Sequence, residues 1–326
     1  MATYKEIKGT GIQFLDTDPA NPLLGQIWYN TTSDSLKGTV LGGSAALGSW
    51  ASGGNVNTGR YELGSGQAAT THATNIIFGG YNGSAFVANA ETYNGTAWTE
   101  VADLNQARGA AIGGSGNSST ALAVGAYYPG AGNTGLTEEY DGSSWSESGD
   151  LNTARRSARG FGLTQNDQIY CGGYSTTVVN LTESYNGSAW TEVGDQNSPN
   201  SQRAGCGSPS AGLLVSGAPS YSANVESWNG SAWTETTNVN VARHDGDCSG
   251  TQAETLFQGG NSAPTTYSVN TEYWNGSSWT EVNNLATARI AASGTGSAAN
   301  GLMSAGLAYP GSVQTATEEW ILSGTS

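Results

Sequence analysis

Short apolar runs, each ending in glycine, recur along the chain: IIFGG at 76–80, LAVGA at 122–126 and QIYCGG at 168–173, followed by LLVSG, ETLFQGG and LMSAG. Their length and the flanking glycines favour strands over helices. A second pattern follows each run, in which Glu, one residue, an aromatic, Asn or Asp, and Gly appear in order. The copies are ETYNG at 91, EEYDG at 138, ESYNG at 183, ESWNG at 226 and EYWNG at 272, and a sixth stops after Glu318, Glu319 and Trp320. Asn-Gly or Asp-Gly between aromatic-bearing strands predicts a type I′ hairpin, which needs positive φ at both central residues. Tyr93 and Trp98 are therefore expected on adjacent strands.

Tryptophan marks the end of each unit. Trp50, Trp98, Trp145, Trp190, Trp233 and Trp279 are spaced by 48, 47, 45, 43 and 46 residues. That is the period of a propeller blade. An arginine follows ten residues after most anchors, at Arg60, Arg108, Arg155, Arg243 and Arg289, whereas Arg203 is displaced by three beside Ser198 and Pro199. The segments after the arginines, such as GAAIGGSG and IAASGTG, carry little side-chain volume and suit a crowded axis. Each unit reads as four antiparallel strands: a small-residue inner strand, an apolar strand, a Glu-x-aromatic strand and an outer Trp strand. The last unit lacks its Trp strand, and GSWAS around Trp50 is a Trp strand with no preceding partners. Pairing the two fragments yields six whole blades and leaves no open edge across the ring. The expected fold is all-β: a six-bladed β-propeller of four-stranded antiparallel blades with a composite closing blade over residues 41–326, behind an N-terminal arm of residues 1–40.

Over residues 48–322 the pattern resembles the kelch repeat family, with glycine closing the second strand, an aromatic on the third, Trp on the fourth and Arg before the next unit. It departs from that family in a shorter aromatic-to-Trp hairpin, in the added Glu, and in three units that keep only one of the paired glycines. Kelch propellers include enzymes, actin binders, ligase adaptors and virion parts, so the resemblance implies a fold and names no activity.

The arm contains DTDPANPLLG and GQIWYNTTSDSLKG, and the latter predicts a short strand or hairpin. This stretch of about fourteen residues resembles N-terminal segments of bacteriophage virion proteins that precede repeats or a fibre region. Degenerate kelch-like arrays of the EEYDGSSW type behind such an arm resemble phage structural proteins. The resemblance implies a virion location, docking through Ile27, Trp28 and Tyr29, other virion proteins as partners, and an arm available for contact with a sister copy. The alternative is that the arm packs back on the propeller as decoration.

Composition narrows the partners further. Apolar residues make up 37% of the chain and Gly numbers 48, so the core must be thin layers between small sheets. The net charge is −15, and the only lysines are Lys5, Lys8 and Lys37. Beyond residue 40, eight Arg face 22 acidic residues, a balance that opposes phosphate backbones and anionic lipid. Neither nucleic acid nor membrane insertion is expected. No run reaches the length of a membrane span, and MATYKEIKGTG lacks a signal-peptide core, so a soluble, unprocessed chain is expected. Cys171, Cys206 and Cys248 form no CxxC pair and read as small buried thiols.

Candidate chemistry is sparse. Arg60, Arg108, Arg155, Arg203, Arg243 and Arg289 each precede an inner strand, and with Arg156 and Arg159 they could ring one channel mouth and bind carboxylates or acidic sugars. Alternatively each arginine bonds carbonyls or Glu91, Glu138, Glu183, Glu226, Glu272 and Glu318 to tie the blades together. An element repeated in every blade serves the blade first, so tying is the expected role. His72 and His244 are the only histidines, and RHDGDC at 243–248 fits no metal-ligand spacing, so neither metal nor cofactor is expected. DGSSW superficially resembles a sialidase Asp box, but its Asp-Gly lacks the intervening residue and the segment already serves as a hairpin. No catalytic residues are assigned and no enzyme is expected. The Asn-Gly-Ser/Thr triplets at Asn94, Asn186, Asn229 and Asn275 arise from turn chemistry. The varying loops YNGSAFVAN at 81–89, YYPGAGN at 127–133 and APTTYS at 263–268 suit glycan or protein recognition at a host surface. A propeller-type carbohydrate-active enzyme and a cellular kelch adaptor are the competing classes.

Overall fold

The computed structural model describes residues 13–17, 27–32, 34–38, 48–67, 71–110, 112–264 and 266–322. Among them there is no α-helix, only a 3-10 turn at His72–Thr74. Six four-stranded antiparallel sheets make up most of the protein. In sheet 2, Gly113–Asn117 pairs with Thr120–Val124, then Thr137–Tyr140, then Trp145–Glu147. Sheets 1, 3, 4 and 5 repeat this order over 64–101, 159–192, 204–236 and 247–281. Sheet 6 takes Ser293–Gly296, Gly301–Ser304 and Thr317–Leu322 from the end of the chain, and its fourth strand is Gly48–Ser52. Trp320 stands opposite Trp50 in that pairing, as expected from the two sequence fragments.

The hairpins differ from the type I′ turns expected. Tyr93 does pair with Trp98, but four residues separate them and Gly95 alone takes positive φ, at 90°. Asn94 acts instead through its side chain, whose Oδ1 accepts the amides of Thr96 and Ala97, both at 2.9 Å. Asp141, Asn186, Asn229 and Asn275 repeat this arrangement. The Asx side chain thus caps its own loop, which is why Asp substitutes freely for Asn there.

Each second strand ends in two consecutive left-handed residues, even where one is not glycine. Ala126, Ser216 and Ala305 take positive φ beside Gly125, Gly217 and Gly306. The bend is therefore imposed by the sheet and not only licensed by glycine.

First strands pack against one another, sheet 1 on 2, 2 on 3, 3 on 4, 4 on 5, 5 on 6, and 6 on 1. Their small residues are required by that approach: a Cβ on Gly114 would lie 2.0 Å from the Ser65 carbonyl oxygen of the neighbouring sheet. Apolar second strands, such as Ile76, Ile77 and Phe78 or Ala121–Val124, are fully buried between adjacent sheets. In every sheet the third-strand aromatic packs against the Trp at ring distances of 4.9–5.4 Å, tilted in five sheets and edge to face in Trp320–Trp50.

The indole N–H of each Trp reaches out to the sheet before it. Trp98, Trp190, Trp233 and Trp50 donate to Thr317, Thr137, Thr182 and Thr271 at 2.9–3.1 Å, each Thr standing just before the repeated Glu. Ala90 and Val225 occupy that position in sheets 1 and 4 and offer no hydroxyl. The facing indoles, Trp145 and Trp279, donate instead to the carbonyls of Ala102 and Thr237 at 2.9 Å. A buried indole N–H always finds an acceptor, and sequence decides which one.

The arm residues form a separate three-stranded sheet in which Ile27–Asn30 pairs antiparallel with Ser35–Gly38 and parallel with Gln13–Leu15. The expected hairpin is present, with one more strand than the sequence suggested. Lys5, Lys8 and the prolines of DTDPANPLLG lie outside the described residues.

Candidate functional site

Every one of the six repeated arginines is buried, none more than 6% exposed. Arg60, Arg203 and Arg243 meet Glu91, Glu226 and Glu272 at 2.6 Å, and Arg108, Arg155 and Arg289 contact Glu138, Glu183 and Glu318. Some of the remaining guanidinium hydrogens reach second-strand carbonyls, as Arg155 reaches Tyr170 at 3.0 Å and Arg243 reaches Phe257 at 3.1 Å. Burial lowers the pKa of Arg60, Arg203, Arg243 and Arg289, and the paired carboxylate opposes that shift. These side chains hold the frame and present no guanidinium at a mouth. The ligand role open to them in sequence would need exposed guanidinium groups, and Arg60, Arg108, Arg155, Arg243 and Arg289 have none, each being 0% exposed.

A third participant escaped the sequence reading. The second oxygen of each Glu accepts a backbone amide from the segment leading into the next first strand: Asn57, Asn105, Asn152, Asn197, Asn240 and Ala286, at 2.7–2.9 Å. The Asn side chains of 57, 152, 197 and 240 add a second bond to the same oxygen. Asparagine three residues before arginine, at 57, 105, 152 and 240, was a visible signal. Arg203 follows its insertion yet reaches Glu226 all the same, so the pair is preserved from a shifted backbone position.

Arg156 and Arg159 behave differently. Arg159 of sheet 3 forms an ion pair with Asp247 of sheet 5, while its Nε donates to the Gly205 carbonyl at 3.2 Å. Asp247 is 1% exposed, and its oxygens also accept the amides of Gly294 and Cys248 at 2.8 Å. Burial raises the Asp247 pKa against the pull of Arg159. Of the two acids in RHDGDC, Asp247 is therefore buried in a crossing ion pair, while Asp245 stays half-buried. Arg156 lies between the rings of Tyr127 and Tyr174, at 5.4 and 4.9 Å, and donates to Asn133 Oδ1 at 2.8 Å.

Six left-handed residues, Glu62, Ala110, Ser157, Gln202, Asp245 and Ala291, form the floor of one open cavity, the mouth. The amide of Glu62 donates to Ala291, Ala291 to Asp245, Asp245 to Gln202, Gln202 to Ser157, and Ser157 to Ala110, at 2.8–3.1 Å. The amide of Ala110 instead bonds the Glu62 carboxylate. Burial and the nearby Asp245 raise the Glu62 pKa, while Arg156 and that amide lower it. Asp245 accepts from Gln202 Nε2 at 2.8 and 3.0 Å and faces His244 Nδ1 at 2.9 Å. Arg159 and Asp247 line the same cavity, which holds about 40 Å³.

Beside this floor lies a belt of half-buried aromatic rings, Tyr61 from the segment leading into a first strand and the others from second-to-third-strand loops. Tyr61 meets Tyr81 at 5.5 Å, Tyr81 meets Phe86 at 5.1 Å, and Phe86 meets Tyr127 at 5.6 Å. Tyr221 stacks on His244 at 5.0 Å, and Tyr267 meets the exposed Tyr309 at 5.9 Å. The loops at 81–89, 127–133 and 263–268 thus share one face. Beside the first-to-second-strand turns a recess of about 310 Å³ is lined mainly by small residues with the exposed Leu163.

In the arm, Ile27, Trp28 and Tyr29 are consecutive on the middle strand, and the side chains of Ile27 and Trp28 lie outside the described residues. The Tyr29 hydroxyl donates to Asp34, and its ring lies 5.4 Å from the exposed Phe14. His72 lies at the edge of sheets 1 and 6, 4.0 Å from Glu319. Cys171, Cys206 and Cys248 are free and buried, as expected.

No family profile matches the chain, and no curated protein is detectably similar in sequence. A solved structure of YjhT is similar with a TM-score of 0.68 and 13% identity, covering 81% of this chain and 95% of that one. At that identity the likeness speaks to fold alone, and the chain is an all-β protein of β-propeller-like architecture.

Proposed function

We propose that the six sheets are the blades of a closed, six-bladed kelch-like propeller, and that the chain is a non-enzymatic structural protein of a bacteriophage virion. Closure is supported by the Trp-to-Thr bonds, which return from sheet 1 to sheet 6, and by the floor amides, which return from Glu62 to Ala291. The N-terminal arm docks the propeller to the particle, and the propeller presents its variable loops to a host surface or to neighbouring subunits. Support for the virion comes from the GQIWYNTTSDSLKG arm in front of EEYDGSSW-type repeats.

The observation that carries the non-enzymatic reading is that the repeated charged groups are consumed inside the frame. Each Arg–Glu pair is buried, with both carboxylate oxygens engaged, which leaves recognition to unrepeated loop residues. Electron microscopy of purified virions, labelled with antibody against the propeller, tests the placement. Labelled particles are expected; virions that never bind the antibody while the chain remains in the soluble cell extract overturn it.

A further inference from the structure

We propose that the aromatic-belted mouth is a binding site for neutral glycans, which lie across the mouth with only an exocyclic group entering it. The inference rests on the recognition role proposed above and names the face and the ligand class. Three observations lead to it.

The belt supplies apolar ring faces beside polar hydroxyls. Tyr61, Tyr81, Phe86 and Tyr127 meet edge to face or tilted and are each only half-buried, so part of each ring stays open, and Tyr309 is 61% exposed. A sugar ring carries C–H groups on one face and hydroxyls around its edge, which matches aromatic surface bordered by polar groups. Tyr brings this contact area with few rotatable bonds to immobilise.

The floor selects against anions. An anion site at a turn needs free backbone amides, and here five of the six are spent on carbonyls and the sixth on the Glu62 carboxylate. Its charge balance is negative, since Glu62 and Asp245 outnumber Arg156, whose charge acts on Glu62. Arg159 is paired with Asp247, and Arg156 is held between two tyrosines and bonded to Asn133. A carboxylated sugar would meet repulsion, whereas a neutral hydroxyl can donate to Asp245 or exchange bonds with Gln202 and Ser157.

The depth fits a surface ligand. A cavity of about 40 Å³ admits a hydroxymethyl group and no whole ring, so most contact must come from the belt.

The test is calorimetric titration of the full chain with neutral oligomers of glucose, mannose and rhamnose, in parallel with polygalacturonate and polysialate. Binding of at least one neutral oligomer is expected, with none of the acidic polymers bound as tightly. Tyr309→Ala, at an exposed position, is expected to weaken binding about tenfold with an unchanged melting temperature. Asp245→Asn is expected to weaken the neutral ligand and narrow the discrimination against acidic ones. Tighter binding of the acidic polymers, or neutral binding insensitive to both variants, overturns the site. Absence of glycan binding in a chain whose antibody labels virions also overturns it, and leaves the virion reading standing. Neutral-glycan binding by a chain absent from virions does the reverse.

Discussion

Removing residues 1–52 takes away the fourth strand of sheet 6, whereas removing 1–40 leaves it in place. The lost strand makes five register pairs with the Thr317–Leu322 strand, and Trp50 donates to Thr271 at 2.9 Å. Its ladder bonds, worth about 1 kcal/mol each, are largely offset by the ordering cost of about 1–2 kcal/mol per residue that is no longer incurred. What does not cancel is left behind. Trp320 is fully buried and would lose the cover of Trp50, 5.4 Å away. Uncovering about half of a Trp side chain costs ~2–3 kcal/mol at about 25 cal/mol per Å². The orphaned Thr271 hydroxyl adds about 1 kcal/mol. The total of about 3–4 kcal/mol is a large share of a typical net stability of roughly 5–15 kcal/mol. Calorimetry of the two truncations should therefore separate them by about 6–8 °C, at roughly 2 °C per kcal/mol for a chain of this size. A synthetic peptide spanning 46–58 should recover part of the loss by adding back as a strand. If the two truncations melt within a degree of one another, the fourth strand of sheet 6 carries no closing role and the composite blade is wrong.

Glu138→Ala leaves the Arg108 guanidinium buried without its carboxylate and is expected to cost about 3–5 kcal/mol in guanidinium denaturation, while the double variant Arg108→Met, Glu138→Leu should cost far less; a single-variant cost under about 1 kcal/mol would refute the frame role. Burial, with bonds to Glu319 and Glu139, raises the pKa of Tyr93 and Tyr185 from 10.0 to about 12. The unfolded phenols ionise first, so stability should be flat below pH 10 and fall between about pH 10 and 12. Tyr93→Phe should shallow that slope in denaturant titrations across the window, and an unchanged slope counts against the shift. Asn94→Asp should leave the melting temperature unaltered, since Asp141 performs the same task and its amide and hydroxyl bonds hold its pKa down to about 2. Asn94→Ala, which loses the loop cap, should cost about 1 kcal/mol in the same assay, and equal melting of the two variants would sink the capping argument.

The parts of the fold legible in the sequence are those that every sheet repeats. Trp spacing located the outer strands, and the incomplete first and last units located their partner strand, because both consequences follow from period alone. The turn type was misread because Asn-Gly is compatible with two loop lengths, and only the bonds of the Asx oxygen decide between them. Nothing in the sequence marks the floor residues. Glu62, Ala110, Ser157, Gln202, Asp245 and Ala291 share no side-chain property, and their left-handed backbone is fixed by a bond from the adjacent sheet. Arg159 and Asp247 form an unrepeated pair, so periodicity could not join them. The aromatic belt is invisible for a related reason: its rings come from loops of unequal length and meet only once the sheets are packed together.

The strongly acidic composition also changes meaning once the side chains are placed. Glu100, Glu147, Glu192, Glu235 and Glu281 are all exposed on outer strands. Each stands opposite the buried Glu of the third strand, in register pairs such as Glu138 with Glu147. An outer strand presents unpaired amides and carbonyls to solvent, and a carboxylate on it discourages edge-to-edge pairing with another molecule. One set of acids thus guards the open edges and a second set is neutralised by buried arginines. Neither is free to specify a ligand, so much of the charge of −15 describes how the sheets stay separate and stay tied. Selectivity must then come from the few groups outside both sets, and among the described residues Glu62 and Asp245 are the acids at the aromatic-belted mouth that no arginine ion pair holds, Asp247 being paired with Arg159.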